Sequence, residues 1–138
     1  MARDIIHEAV KNALIKEDWI ITDDPFKLDI GTKYPLEVDL AAEKILAAEK
    51  EEEKILVEIK SFAKKSMIYE FHEVLGQYLN YEGAVELNEL NRIVFLAISE
   101  ETFLKMNTVQ FINLQLKKFG VKIIVVDILD EKIVQWIK

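Results

Sequence analysis

The chain has 138 residues, 51% of them hydrophobic and 31% charged, with 4 Gly, 2 Pro and a formal net charge of −7. That balance fits one domain, residues 1–138, with its own core, and excludes disordered, collagenous and low-complexity chains. The absence of cysteine excludes a disulfide scaffold, a thiol nucleophile and a thiolate metal site, and 2 His argue against a histidine-rich zinc site.

Residues 3–16 predict a helix, with Ile5, Ile6, Ala9, Val10, Ala13 and Leu14 at helical spacing and Asp4 as a cap. Trp19 to Thr22 reads as a strand, Asp23-Asp24-Pro25 as a turn and 26–35 as a loop. Residues 36–48 predict a strand, 49–53 a solvated charged turn, and 54–60 a second strand. A long helix is expected over 66–89, where Met67, Ile68, Phe71, Val74, Leu75, Tyr78 and Leu79 form one stripe. Mid-helix Gly76 is expected to allow a close approach of helix to sheet. Residues 93–98 form a continuous apolar run suited to a central strand. Helix 109–119 ends at Gly120, and 121–128 and 132–137 are the last strands. This order predicts an α/β fold with a mixed sheet flanked by helices, parallel across the long helix and antiparallel at the hairpins.

Nothing resembles a secretory leader, because Ile5 and Ile6 are followed by His7 and Glu8. No run approaches the ~18 uncharged apolar residues of a membrane helix. The expected compartment is the reducing cytoplasm, without membrane association. The negative balance opposes bulk attraction to nucleic acid, so contact with DNA would require a local basic patch, bound cations or a basic partner.

There is no glycine-rich phosphate loop, serine elbow or paired-histidine motif. What remains is Val57-Glu58-Ile59-Lys60, preceded by Asp39. On a strand, Glu58 and Lys60 share a face, and an acid from a neighbouring strand would complete an oxygen-donor site for Mg²⁺. The spacing alone is weak, since Glu52-Glu53-Lys54 repeats it within the expected turn, and cross-strand ion pairing would explain it equally. Gln77 and Tyr81, at i and i+4, share a helical face and could look toward Lys60, or simply lie at the surface. His7 and His72 read as surface or flank residues. Glu8 lies nearly opposite the apolar stripe of the first helix. Lys64 and Lys65 read as a solvated loop or as local positive charge beside Lys60.

Asp39, Glu58-Ile59-Lys60, Gln77 and Tyr81 together resemble the PD-(D/E)XK nuclease superfamily, and the Gln-x-x-x-Tyr pair is similar to its RecB-like branch. Longer words resemble the XisH family of excision controlling factors, small cyanobacterial proteins linked to programmed excision of a DNA element. These are Ala2-Arg3-Asp4 with His7, Trp19 to Pro25, Asp39-Leu40, Ala42-Glu43-Lys44, Val57 to Phe62, Glu70-Phe71-His72, Leu75 to Tyr81 and Ile133 to Ile137. The resemblance implies a restriction-endonuclease-like core and Mg²⁺ or Mn²⁺ held by Asp39, Glu58 and the Ile59 carbonyl. It makes Lys60 the catalytic lysine, and Gln77 and Tyr81 positioning residues. Glu8 matches an acid that some superfamily members carry on their first helix. DNA and an XisI-like small protein are the implied partners, and a homodimer is also allowed.

Two features depart from the superfamily pattern. Val38 stands where a proline is usual. A regular hairpin turning near 50–53 would also offset Asp39 from Glu58 by six residues, about 20 Å. Either the strand is irregular near 41–45, or Glu43 is the metal acid in place of Asp39. Two functions therefore stand: a Mg²⁺-dependent endonuclease or nickase, and a non-catalytic DNA- or partner-binding accessory factor on a nuclease fold.

Overall fold

The computed structural model describes residues 2–46, 51–64 and 66–138. Helix α1 (Ala2–Lys16) leads into strand β1 (Ile20–Asp23), a short ribbon of β2 (Phe26–Leu28) and β3 (Leu36–Val38), and the hairpin β4 (Leu40–Leu46) and β5 (Glu51–Ile59). Helix α2 (Met67–Leu87), β6 (Ile93–Ser99), α3 (Glu100–Asn107), α4 (Gln110–Lys118), β7 (Ile123–Asp127) and β8 (Lys132–Ile137) follow. No helix among the described residues is long and apolar enough to cross a membrane.

The alternation of side chains on β5, β6 and β7 makes both sheet faces apolar, so each must be covered. Ile55, Val57, Ile59, Phe95, Ala97, Ile124 and Val126 pack with Ile6, Val10 and Leu14 of α1. Leu56, Val94, Leu96, Ile98, Ile123 and Val125 pack with Phe71, Val74, Tyr78 and Tyr81 of α2, and with Met106 and Ile112 from α3 and α4. The six-stranded sheet runs β1-β4-β5-β6-β7-β8, and β2-β3 form a separate two-stranded sheet. The β5/β6 and β6/β7 pairs are parallel and the other pairs antiparallel, giving the mixed α/β sheet expected from the sequence.

Several expected boundaries are corrected. The span 36–48 divides at Asp39 into β3 and β4, and the expected loop 26–35 contains β2. Glu51–Glu53 belong to β5 and not to a turn. Glu53 stands opposite Lys44 across the hairpin, which suits its charge. Residues 49 and 50 of that expected turn lie outside the described residues. The expected order omits α3, which starts at Ser99, whose side chain accepts a hydrogen bond from the Thr102 N–H. Gly76 is exposed, and a Cβ there would meet nothing within 4 Å, so it permits no close helix–sheet approach.

Candidate active site at the carboxyl end of strand β5

Register explains how Asp39 and Glu58 meet. Leu40 pairs with Val57, which sets Asp39 opposite Glu58 without any irregularity in the hairpin. The 20 Å offset expected from a turn at 50–53 disappears because the last described pair, Leu46 with Glu51, puts the turn earlier. Each acid then accepts a hydrogen bond from the backbone beside the other. Ile59 N–H donates to Asp39 Oδ2 at 2.8 Å, and Asp39 N–H donates to Glu58 Oε1 at 3.2 Å.

Glu58 shares the parity of Leu56 and so faces α2, where the residue is only 7% exposed. Burial and the neighbouring Asp39 charge push its carboxyl up to about 7, partly offset by Lys60, the Asp39 N–H and the Tyr81 hydroxyl. Lys60 lies one strand step further on the same face, with Nζ 3.5 Å from Glu58 Oε2. Its own N–H continues the ladder to the Ala97 carbonyl at 3.1 Å. The chain then turns at Phe62, whose φ of 52° is left-handed, a conformation that costs a bulky residue about 1 kcal/mol or more.

Helix α2 supplies the opposite wall. Ser66 caps it by accepting from the Tyr69 N–H. Tyr81 is buried, and its hydroxyl lies 3.1 Å from both Glu58 Oε2 and the Glu37 carbonyl, so one proton serves two acceptors. Burial and the Glu58 charge push the Tyr81 hydroxyl above the usual phenol range. Gln77, one turn earlier, lines the same space but bonds to nothing among the described residues.

These residues enclose a cavity of about 590 Å³, bounded also by Ile6, His7, Asp24, Pro25, Glu37, Ser61, Lys64, Glu70, Glu73 and Val74. The structure thus gathers Asp39, Glu58, Ile59, Lys60, Gln77 and Tyr81. It does not bring in Glu8, which is exposed on α1 and stands outside the cavity wall. Glu43 lies four residues along β4 from Asp39, about 13 Å in an extended strand. There it pairs with Lys54 at 3.6 Å and Arg92 at 3.4 Å. Lys64 reaches the cavity, but its charge meets Glu73 at 3.3 Å; Lys65 lies outside the described residues. His72 is exposed and absent from the wall.

His7 is the wall residue that sequence reasoning passed over. Its Nε2 lies 2.9 Å from Asp24 Oδ1, and Lys11 Nζ lies 2.9 Å from Asp24 Oδ2. Despite partial burial, its hydrogen bonds with Lys11 and His7 and the Lys11 charge hold the Asp24 carboxyl below its ordinary range. The readable signal was joint: His7 falls one residue after core-facing Ile6, and the Asp24-Pro25 turn is what can meet it.

The donor set suits a hard divalent cation. Asp39 and Glu58 are two carboxylates held side by side, one of them buried, and a cation between them would relieve the repulsion that raises the Glu58 carboxyl. The described residues contain no group of three or more His, Cys, Asp or Glu side chains placed to hold a metal. Of the ligands that the resemblance implies, the two carboxylates, Asp39 and Glu58, are brought side by side.

A family model described as XisH protein matches residues 1–134. The chain belongs to the XisH family. Two solved structures share its fold across nearly all of both chains. An XisH family protein from Nostoc punctiforme PCC 73102 is 38% identical, with a TM-score of 0.86, covering 98% of this chain and 100% of that one. An fdxN element excision controlling factor protein from Anabaena variabilis is 40% identical, with a TM-score of 0.86, covering 98% and 99%. No curated protein matches. The sheet of this XisH chain and its flanking helices are thus those of solved family members, and they are compatible with a PD-(D/E)XK core.

Proposed function

We propose that this XisH chain is a divalent-cation-dependent DNA endonuclease or nickase acting in the excision of a DNA element. The excision role is carried over from the Anabaena variabilis relative, described as an fdxN element excision controlling factor. One observation carries the chemistry: Asp39 and Glu58 face each other in register, and the Lys60 ammonium stands 3.5 Å from Glu58 in the same cavity.

Asp39, Glu58 and the Ile59 carbonyl would hold Mg²⁺ or Mn²⁺. Such an ion supplies neutralisation of a phosphodiester and a more acidic water. Lys60 offers a fixed positive charge to the negative charge that builds on phosphorus during attack. Tyr81 holds Glu58 in place through its hydroxyl, and Gln77 is free to orient a phosphate or Lys60. The apolar packing behind Tyr81 and Ile59 excludes water from the back of the site, which strengthens each of these interactions.

A second reading is favoured by the acidity of the walls. Asp24, Glu37, Glu70 and Glu73 surround the site in a chain of net charge −7. A non-catalytic accessory factor, binding DNA through an XisI-like protein or a second copy, would suit that surface. Supercoiled plasmid in Mg²⁺ or Mn²⁺ separates the two. Wild type should nick, and Lys60→Ala at equal fold content should not. Inactivity of both proteins, with and without the partner, would sink the nuclease reading.

A further inference from the structure

The β2–β3 ribbon stands outside the six-stranded sheet, yet its last residue, Val38, is followed directly by Asp39. Lys27 of β2 pairs in register with Glu37 of β3, and Glu37 is part of the cavity wall. The ribbon therefore flanks the carboxylate site.

Its tip is held by a set of short bonds. Gly31 N–H donates to Asp29 Oδ1 at 2.9 Å, and Thr32 Oγ1 donates to the Tyr34 carbonyl at 2.7 Å. Asn88, at the end of α2, donates from Nδ2 to the Asp29 carbonyl at 2.8 Å and ties the tip to the helix. On this frame Tyr34 is 74% exposed, with Lys33 Nζ 5.5 Å from its ring centroid. Lys27 and Lys33 make no ion pair among the described residues. Around the site, by contrast, Lys11, Lys60 and Lys64 each meet a carboxylate, at 2.9, 3.5 and 3.3 Å. The ribbon also carries Asp29 and Glu37, the latter opposite Lys27; what it adds beside the acidic cavity is two lysines that make no salt bridge among the described residues and an exposed aromatic ring with Lys33 over it.

We propose that the β2–β3 ribbon is the element that grips a nucleic-acid strand beside the site, with Tyr34 stacking on an unpaired base and Lys27 and Lys33 meeting phosphates. The assignment rests on the nuclease reading above. Stacking on an exposed ring suits any base, and lysines on the same frame track the backbone. Tyr34 precedes Asp39 by five residues, at most about 18 Å of chain. At about 3.4 Å per stacked nucleotide, a strand with one phosphate at the carboxylates reaches Tyr34 within about five nucleotides.

The test measures binding of a labelled 20-nucleotide single strand by fluorescence anisotropy in Mg²⁺, in a Lys60→Ala background that does not cut. Tyr34→Ala should weaken binding about tenfold and Tyr34→Phe should restore it, because the ring and not the hydroxyl stacks. Lys27→Ala with Lys33→Ala should flatten the slope of log affinity against log salt by about 1.4, the value for two lost phosphate contacts on a single strand. Binding by the parent that neither change affects would overturn the ribbon assignment and leave the nuclease reading standing. A parent that binds no strand would overturn the ribbon assignment, while the nuclease reading is decided by plasmid nicking. A Tyr34→Ala protein that keeps its strand affinity but loses a protein partner would make the ribbon a protein-docking element and overturn the assignment.

Discussion

The two ends of strand β5 carry the same letters and do different things. At its start, Glu52, Glu53 and Lys54 repeat the acid-x-lysine spacing of Glu58 and Lys60. There Lys54 meets Glu43 and Glu52 at 3.6 Å each, Arg92 adds a second cation to Glu43, and these carboxylates keep water. At the other end, Glu58 is buried against a second carboxylate, and one lysine partly offsets the pair. Spacing is common to both. Burial and register make one of them the candidate site, because a buried and only partly offset pair of carboxylates is what a cation would relieve.

That contrast can be broken experimentally. The largest effect is expected in plasmid nicking, where Lys60→Ala should lose at least about a hundredfold in rate, while Lys54→Ala should cut as wild type does. Equal losses would mean that the two ends are not distinct.

The next effect is on stability against pH. Burial and Asp39 push the folded Glu58 carboxyl up to about 7 from its ordinary 4.5, so the folded chain holds more protons between those values. Stability should therefore fall as pH rises from about 4.5 through about 7, by about 3 kcal/mol. In chelator, Glu58→Gln should flatten this decline in thermal melts. Mg²⁺ should raise the melting temperature of wild type at pH 8 but not that of Glu58→Gln. Glu43→Gln should leave both behaviours unchanged.

Smaller again is Tyr81→Phe. It removes one hydroxyl from Glu58 and the Glu37 carbonyl and should cost about 1 kcal/mol in chemical denaturation. It should also raise the Glu58 carboxyl further, seen as an upward shift of the acid limb in the rate–pH profile. The smallest change is favourable: Gly76→Ala, on an exposed helical face with open space around it, should stabilise α2 by about 0.5–1 kcal/mol.

How much of this was legible in the sequence follows from which forces set each feature. Apolar periodicity located α1, α2, α4 and the central strands because burial of a face is written in local spacing. The parity of Glu58 and Lys60 was legible for the same reason. The partner acid was not, because its position depends on register, and register depends on where the hairpin turns. Treating the charged run as solvated moved that turn by a few residues, and Glu43 then looked plausible. Tyr81 could have been a surface phenol on periodicity alone. Its burial under the ribbon requires a contact of sequence separation 44, between Tyr81 and the Glu37 carbonyl. The ribbon and α3 were missed because three-residue strands and an eight-residue helix carry little periodic signal.

Asp39 is the single residue between two sheets. Val38 ends one and Leu40 begins the other. A load applied to the ribbon therefore reaches this carboxylate through one peptide link, with no intervening loop to absorb it. The ribbon and the β4–β5 ladder therefore share this carboxylate as their junction, and the ladder's register sets it opposite Glu58.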